Sequence, residues 1–170
     1  MIMKALIVYD TFFSNTEQIA RAIGNTLSTL TPQVNVQTRR VQEIVPEHLR
    51  DLDLLVVGSP TRAFKPTAPI TNLLKAMPRQ GLRGVKAVAF DTRIPLEGIN
   101  SVIGRFFIRR FGYAAEKIAR ALQKHGAELV VPAAGFAVRA SEGPLQEGEL
   151  QRAAHWLEVI IQKIAAGDRE

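Results

Sequence analysis

The sequence predicts an α/β domain in three layers, a mainly parallel sheet with helices on both faces. Three observations carry this. Residues 4–9 are a continuous apolar run, residues 53–58 are strongly apolar and residues 85–90 read as a further buried strand, the pattern of strands buried on both sides. Between them the apolar spacing switches to a helical period. Strand and helix patterns then alternate to the end of the chain, which calls for parallel strands joined by crossover helices.

Each element follows in order. Residues 4–9 are the first strand. Residues 16–30 are a helix, because Ile19, Ile23, Leu27 and Leu30 fall on one face. Residues 34–38 read as a shorter strand and residues 46–50 as one helical turn. Residues 53–58 are the third strand. Residues 67–77 form a helix with Ile70, Leu73, Leu74 and Met77 on one side and Pro78 just beyond it. Residues 85–90 are the fourth strand. Residues 113–125 are helical and end at Gly126, which suits a left-handed C-cap. Residues 128–131 and 135–140 read as two short strands, or as one strand interrupted near Pro132. The last helix spans residues 145–165. Leu150, Ala153, Leu157, Ile160, Ile161 and Ile164 form its inner stripe, and Trp156 packs beside them.

Composition narrows the function classes. The 170 residues are 46% hydrophobic and 22% charged, which suits one domain over residues 1–170 with one substantial core. Absence of cysteine excludes disulfides, thiolate metal sites and cysteine nucleophiles. His48, His125 and His155 are scattered without metal-ligand spacing, so no metal is expected. The apolar start is short, runs into Asp10 and reads as a strand rather than a signal peptide. No apolar run approaches the ~20 residues that span a bilayer. The expected location is cytoplasmic, without stable membrane insertion. The net charge of +6 favours acidic partners, nucleic acid or anionic lipid. The basic residues are dispersed and form no nucleic-acid motif, so no nucleic acid is expected.

Ligands of open parallel sheets bind beyond the carboxyl ends of the strands. Between the first strand and first helix the chain reads Asp10-Thr11-Phe12-Phe13-Ser14-Asn15-Thr16. This loop packs hydroxyls and an amide at a helix start and contains no Lys or Arg. It can present hydroxyls and free backbone N–H groups to an anion. It also fits a purely structural motif, since Ser14 and Glu17 match the S-x-x-E capping box.

The stretch Ile7-Val8-Tyr9 followed by residues 10–16 and Ala20 resembles the flavodoxin signature: an apolar strand ending in an aromatic, a Thr/Ser-rich loop closing on Asn-Thr, then a helix. Ser14 stands where that family usually has Gly or Ala. Gly58-Ser59-Pro60-Thr61 and Phe90-Asp91-Thr92-Arg93 match its second and third flavin loops in order and spacing. Residues 112–119, 135–138 and 142–150 are similar to the later part of small flavodoxin-family proteins. The resemblance implies a flavodoxin-like three-layer sandwich, with a five-stranded parallel sheet in the order 2-1-3-4-5. With no room for an insertion between Gly126 and Ala140, it implies the short type.

The resemblance further implies FMN. Thr11, Phe12, Phe13, Ser14, Asn15 and Thr16 would bind its phosphate. Ser59, Pro60, Thr61, Arg62 and Phe64, with Asp91, Thr92 and Arg93, would flank the isoalloxazine ring. Phe64 is the candidate stacker of the second loop. The third loop offers Arg93 and Ile94 and no Tyr or Trp. Arg93 could stack by its guanidinium plane or lie near the N1–O2 edge of the ring.

Residues 99–110 are the unexpected segment. Ile99, Val102, Ile103, Phe106 and Phe107 are helically spaced, beside Arg105, Arg109 and Arg110. They read either as an extended start to the fourth helix with a core-facing apolar side, or as a cap over the flavin or a basic apolar docking surface near the cofactor end.

The functional expectation is an FMN protein carrying electrons between redox partners, with an acidic docking surface on the partner. The alternatives are an FMN-dependent NAD(P)H:quinone-type reductase and a cofactor-free binding module on the same scaffold. A receiver-type signalling domain is disfavoured, because Gly58-Ser59 stands where a phospho-acceptor Asp would be.

Overall fold

Every strand pairing in the sheet is parallel, and β2 (Val34–Arg40), β1 (Met3–Tyr9), β3 (Leu54–Pro60), β4 (Lys86–Arg93) and β5 (Glu128–Leu129) lie side by side in that order, with β6 (Ala134–Ala137) also paired to β4. The structure is a computed structural model describing residues 2–167; Met1 and residues 168–170 of the expected 1–170 span lie outside the described residues. The helices are α1 (Asn15–Leu30), α2 (Ala68–Ala76), α3 (Val102–Phe111), α4 (Ala114–Lys124) and α5 (Glu149–Gly167). Pro46–Leu49 is a 3-10 turn.

The continuous apolar strands serve two cores at once, because successive side chains point to opposite faces. Leu6 and Val8 of β1, Leu55 and Val57 of β3, and Ala87 and Ala89 of β4 pack beneath α2 and α4. Ala5, Ile7, Leu54, Val56, Val88 and Phe90 pack on the other face, beneath α1 and α5. Gly58 is fixed by this second core. A Cβ there would stand 2.1 Å from the Phe90 ring, which lies across the glycine and meets Phe136 and Trp156 edge to face at 5.9 and 6.4 Å. Trp156 is therefore a packing residue.

The ambiguous fifth strand is one line in two pieces. Both β5 and β6 run along β4, β5 opposite Lys86 and Ala87, β6 opposite residues 90–93. Pro132, lacking an N–H, sits in the gap where no ladder bond can form.

Two expectations are corrected. The last helix begins at Glu149, four residues later than its pattern suggested. Leu145 instead bridges Val138 in an antiparallel pair. Leu150 is exposed, and the inward position in the first turn belongs to Glu149. Its carboxylate accepts the Ala137 N–H at 2.6 Å and the Arg152 guanidinium at 2.6 and 2.9 Å, tying α5 to the end of β6.

The second correction concerns residues 99–110. They are not an extension of the fourth helix with a core-facing side. They form the separate helix α3, capped by Ser101 Oγ accepting the Gly104 N–H at 3.2 Å. Gly112, at φ 73°, breaks the chain between α3 and α4. Val102, Ile103, Phe106, Phe107 and Phe111 are exposed, and Ile108 is the one buried residue of α3.

Glu149 gives a pH test. Burial pushes its carboxyl up, and the Arg152 guanidinium and Ala137 N–H outweigh this, leaving it below its ordinary value. A depressed carboxylate stabilises fully above its unfolded value of ~4.3 and loses that contribution as pH falls through the folded value. Glu149→Gln is expected to destabilise the protein by about 1.5–3 kcal/mol at neutral pH, the range for bonds to a charged group. In denaturant melts the gap to the parent should close as pH falls below about 4.

Candidate functional site

Three loops meet at the carboxyl ends of β1, β3 and β4. The first is fixed from below by Asp10, a buried carboxylate. Its Oδ1 accepts the Thr11 N–H at 2.9 Å and the Arg40 guanidinium at 3.3 Å, while Arg40 also donates to the Thr11 carbonyl at 2.7 Å. The chain then turns through Ser14, at φ 64° and ψ 2°. That left-handed backbone departs from the extended geometry of a capping residue, and Ser14 makes no side-chain cap bond. The capping-box expectation is therefore corrected. The same φ explains why glycine suits this position in the signature. The N–H groups opening α1 have no intrahelical acceptor; the first to find one is Gln18, bonded to the Ser14 carbonyl at 3.0 Å.

Asn15 and Thr16 are buried. Asn15 Nδ2 donates to the Glu142 carbonyl at 3.1 Å, and a Cβ on Gly143 would stand 2.6 Å from the Asn15 amide. Residues after β6 thus pack tightly on the first loop. Thr16 Oγ1 and Thr92 Oγ1 are 2.8 Å apart, so one hydroxyl donates to the other and the second keeps its proton free. Thr11 Oγ1 is buried without a protein partner.

In the second loop, Ser59 is turned inward. It accepts the Thr67 N–H at 3.0 Å and donates to the Pro60 carbonyl at 3.0 Å, fastening the loop to the start of α2. Arg62 and Lys65 exchange backbone bonds at 2.9 Å, closing a two-residue turn whose central residues Ala63 and Phe64 have φ of 45° and 66°. Turns of this kind favour Gly or Asn, and bulky residues there carry strain. The turn aims Phe64 at α3, where its ring stacks on Phe107 at 5.9 Å and meets Phe111 at 6.3 Å. Arg62 lies over the rings of Phe12 and Phe13 at 5.0 and 5.2 Å.

The third loop is built on Asp91, which is fully buried at the end of β4. Arg93 grips it with two donors at 2.5 and 2.8 Å, Thr61 Oγ1 donates at 3.1 Å, and the Ala115 N–H donates at 2.9 Å. Burial pushes the Asp91 carboxyl up, with Arg93 and Ala115 opposing it. Burial also acts to lower the Arg93 guanidinium, and the Asp91 carboxylate overrides this and leaves it raised. The Arg93 guanidinium lies over the Tyr113 ring, 3.8 Å from its centre, and reaches Glu116 at 3.4 Å. A Cβ on Gly135 would stand 2.1 Å from Arg93 Nε, so a side chain there would push the guanidinium out of its place on Asp91.

Between the loops lies a cleft of about 190 Å³. Of the residues singled out in the sequence, Thr11, Phe12, Phe13, Asn15, Thr16, Pro60, Thr61, Arg62, Thr92 and Arg93 line it. Ser14, Ser59, Phe64 and Asp91 stand outside its wall. Ser59 and Asp91 hold the loops in place, and Phe64 belongs to the aromatic contact with α3. Ala63 and Ile94 of the second and third loops complete the wall together with Val138 and Ser141, and the last two were not anticipated as site residues. Val138 and Ser141 follow β6, and the rule that ligands lie beyond strand ends could have found them had the fifth strand been placed.

No family pattern and no curated protein sequence matches the chain. Solved structures do. A flavodoxin from the domain Archaea superposes with a TM-score of 0.70 at 22% identity, covering 95% of this chain and 99% of that one. Flavodoxin 1 from Bacillus cereus gives 0.73 at 15% identity, over 94% and 97%. The rubredoxin oxygen:oxidoreductase of Desulfovibrio gigas gives 0.69 at 18% identity, over 96% of this chain and 36% of its own. The protein therefore has the flavodoxin-like α/β fold, with the strand order that the resemblance implies.

Asp91→Ala is expected to cost about 3–5 kcal/mol, since it leaves Arg93 partly buried without its counter-charge. Replacing both partners, as in Asp91→Ala with Arg93→Met, should cost clearly less than the sum of the two single changes. A double-mutant cycle by chemical denaturation measures this coupling.

Proposed function

We propose that this protein binds FMN with its phosphate in the first loop and acts in electron transfer between redox partners. The observation that carries the reading is the chemistry of the cleft floor: a buried Thr11 hydroxyl without a partner, a Thr16–Thr92 pair with a spare proton, and the unsatisfied N–H groups opening α1. This donor set fits a phosphate, because a helix start with converging hydroxyls favours an anion without needing a lysine.

Size supports the same division of labour. At about 190 Å³ the cleft is below the ~300 Å³ at which pockets begin to enclose whole ligands, so a flavin would keep part of itself outside the wall. When bound, FMN supplies the redox chemistry. The residues of the chain bind and orient: Thr11, Asn15, Thr16 and Thr92 at the phosphate end, and Thr61 and Arg62 towards the rim. Arg93 is spent on Asp91 and Tyr113, so its guanidinium contributes charge at the wall rather than a stacking plane.

A reductase reading gains support from one feature. Phe64, the candidate stacker, is turned away onto α3, which leaves the rim open for a small acceptor. Steady turnover with a reduced nicotinamide and a quinone would favour it over a carrier.

Titration of the apoprotein followed by flavin fluorescence tests the phosphate assignment. FMN is expected to bind more tightly than riboflavin, and equal affinities would overturn it. Thr16→Ala should weaken FMN by about ten- to a hundredfold, the equivalent of ~1.5–3 kcal/mol for a bond to a charged group. Riboflavin affinity should change little.

A further inference from the structure

Helix α3 is held to the body through Ile108, its one buried residue. Its most apolar positions are its most exposed: Val102 at 80%, Ile103 at 69% and Phe106 at 62%. Large exposed apolar patches mark interaction sites. This one does not stop at the helix. Phe106 meets Phe107 at 5.8 Å, Phe107 stacks on Phe111 at 5.8 Å and on Phe64 at 5.9 Å, and across the same turn Arg62 covers the exposed rings of Phe12 and Phe13. Of the eight phenylalanines in the sequence, only Phe90 and Phe136 belong to the buried core. The others form a band around the carboxyl end of the sheet.

The charge on this band has one sign. Helix α3 contains Arg105, Arg109 and Arg110 and no Asp or Glu. Arg105 donates to the Ile99 carbonyl at 2.7 Å, and Arg110 lies over the Phe111 ring at 5.6 Å. Among the described residues none of the three forms an ion pair with a carboxylate. A surface that pairs protruding apolar side chains with unneutralised cations is complementary to an apolar phase bordered by anions.

We propose that α3 docks the protein on an anionic lipid surface. Val102, Ile103 and Phe106 enter the boundary between headgroups and acyl chains, and the arginines meet lipid phosphates. Protein docking sites concentrate their binding energy in desolvated pockets inside a polar rim. Here the apolar residues stand at the apex of a convex helix, which a deformable bilayer accommodates. The helix, about 15 Å long, lies along the interface. Among the described residues no helix is long and apolar enough to cross a membrane, so the contact is peripheral. Arginine stems lying along apolar surface with their heads at the phosphates suit this depth. The inference goes beyond the flavin reading and does not depend on it.

Flotation with vesicles tests it, using the full chain with and without FMN. Binding is expected to vesicles of phosphatidylcholine mixed with phosphatidylglycerol and not to phosphatidylcholine alone, whether or not flavin is present. Arg109→Glu with Arg110→Glu should weaken binding by about thirtyfold or more, the factor for two arginines near such a surface. Ile103→Ser with Phe106→Ser should abolish flotation. Both pairs are exposed, so far-ultraviolet circular dichroism and the denaturant midpoint should stay near those of the parent. Lys163→Glu, an exposed charge change on α5, should leave binding at the parent level. Failure to bind the mixed vesicles overturns the proposal, as does equal weakening by Lys163→Glu, which would indicate diffuse basic attraction. Sedimentation velocity supplies the remaining outcomes. A dimer that Ile103→Ser with Phe106→Ser converts to monomer would make a second copy the occupant. Salt-sensitive complex formation with an acidic redox protein, lost in the arginine variant and without vesicle binding, would make it a protein. Either result overturns the lipid assignment.

Discussion

The buried carboxylate of Asp91 is the junction on which the carboxyl end of the sheet depends. It sits at the end of β4, yet its partners come from the second loop through Thr61, from the third through Arg93 and from the start of α4 through the Ala115 N–H. A charge this deep is tolerated only with its lone pairs filled. The demand for partners therefore fixes where the second loop can run and where α4 can begin. Tyr113 then serves as the platform under Arg93, and Gly112 just before it lets α3 leave the body. The position of the exposed helix is in this sense set from inside the sheet.

Much of the fold was legible because burial on both faces leaves a plain signature. Residues 5–9 of β1 and 54–57 of β3 fall alternately in one and the other of two cores, so apolar–polar alternation disappears and a continuous apolar stretch remains. The loops of the site were legible by their order at the strand ends. What each side chain does within them was less so. Ser14 and Glu17 have the spacing of a capping box, but spacing carries no information about φ, and a left-handed Ser14 removes the cap. Leu150 lies in register with the inner stripe of α5 by period, yet Glu149 takes the inward place because it has two donors waiting there. Arg93 reads as free in the sequence, since its consumption by Asp91 and Tyr113 is a tertiary fact.

Helix α3 was the hardest segment to place, for a related reason. Its apolar spacing is that of a core helix, and periodicity cannot tell which side of an amphipathic helix has a partner. The break at Gly112 decides the matter: without it the segment would continue α4 against the sheet. The strained Ala63–Phe64 turn belongs to the same arrangement, because left-handed backbone there is what lets Phe64 reach Phe107.

The interrupted fifth strand has a bearing on how molecules of this protein behave towards one another. An exposed sheet edge is a template on which a neighbouring chain can add its own strand. Here the outer edge is split into pieces of two and four residues by the gap containing Pro132, so it offers no long row of unpaired backbone groups. At the opposite edge β2 ends in Arg39 and Arg40, charged side chains of the kind that discourage strand addition. Both flanks of the sheet are thus poor seeds for edge-to-edge aggregation, and a concentrated solution of the folded protein should resist the growth of extended β assemblies.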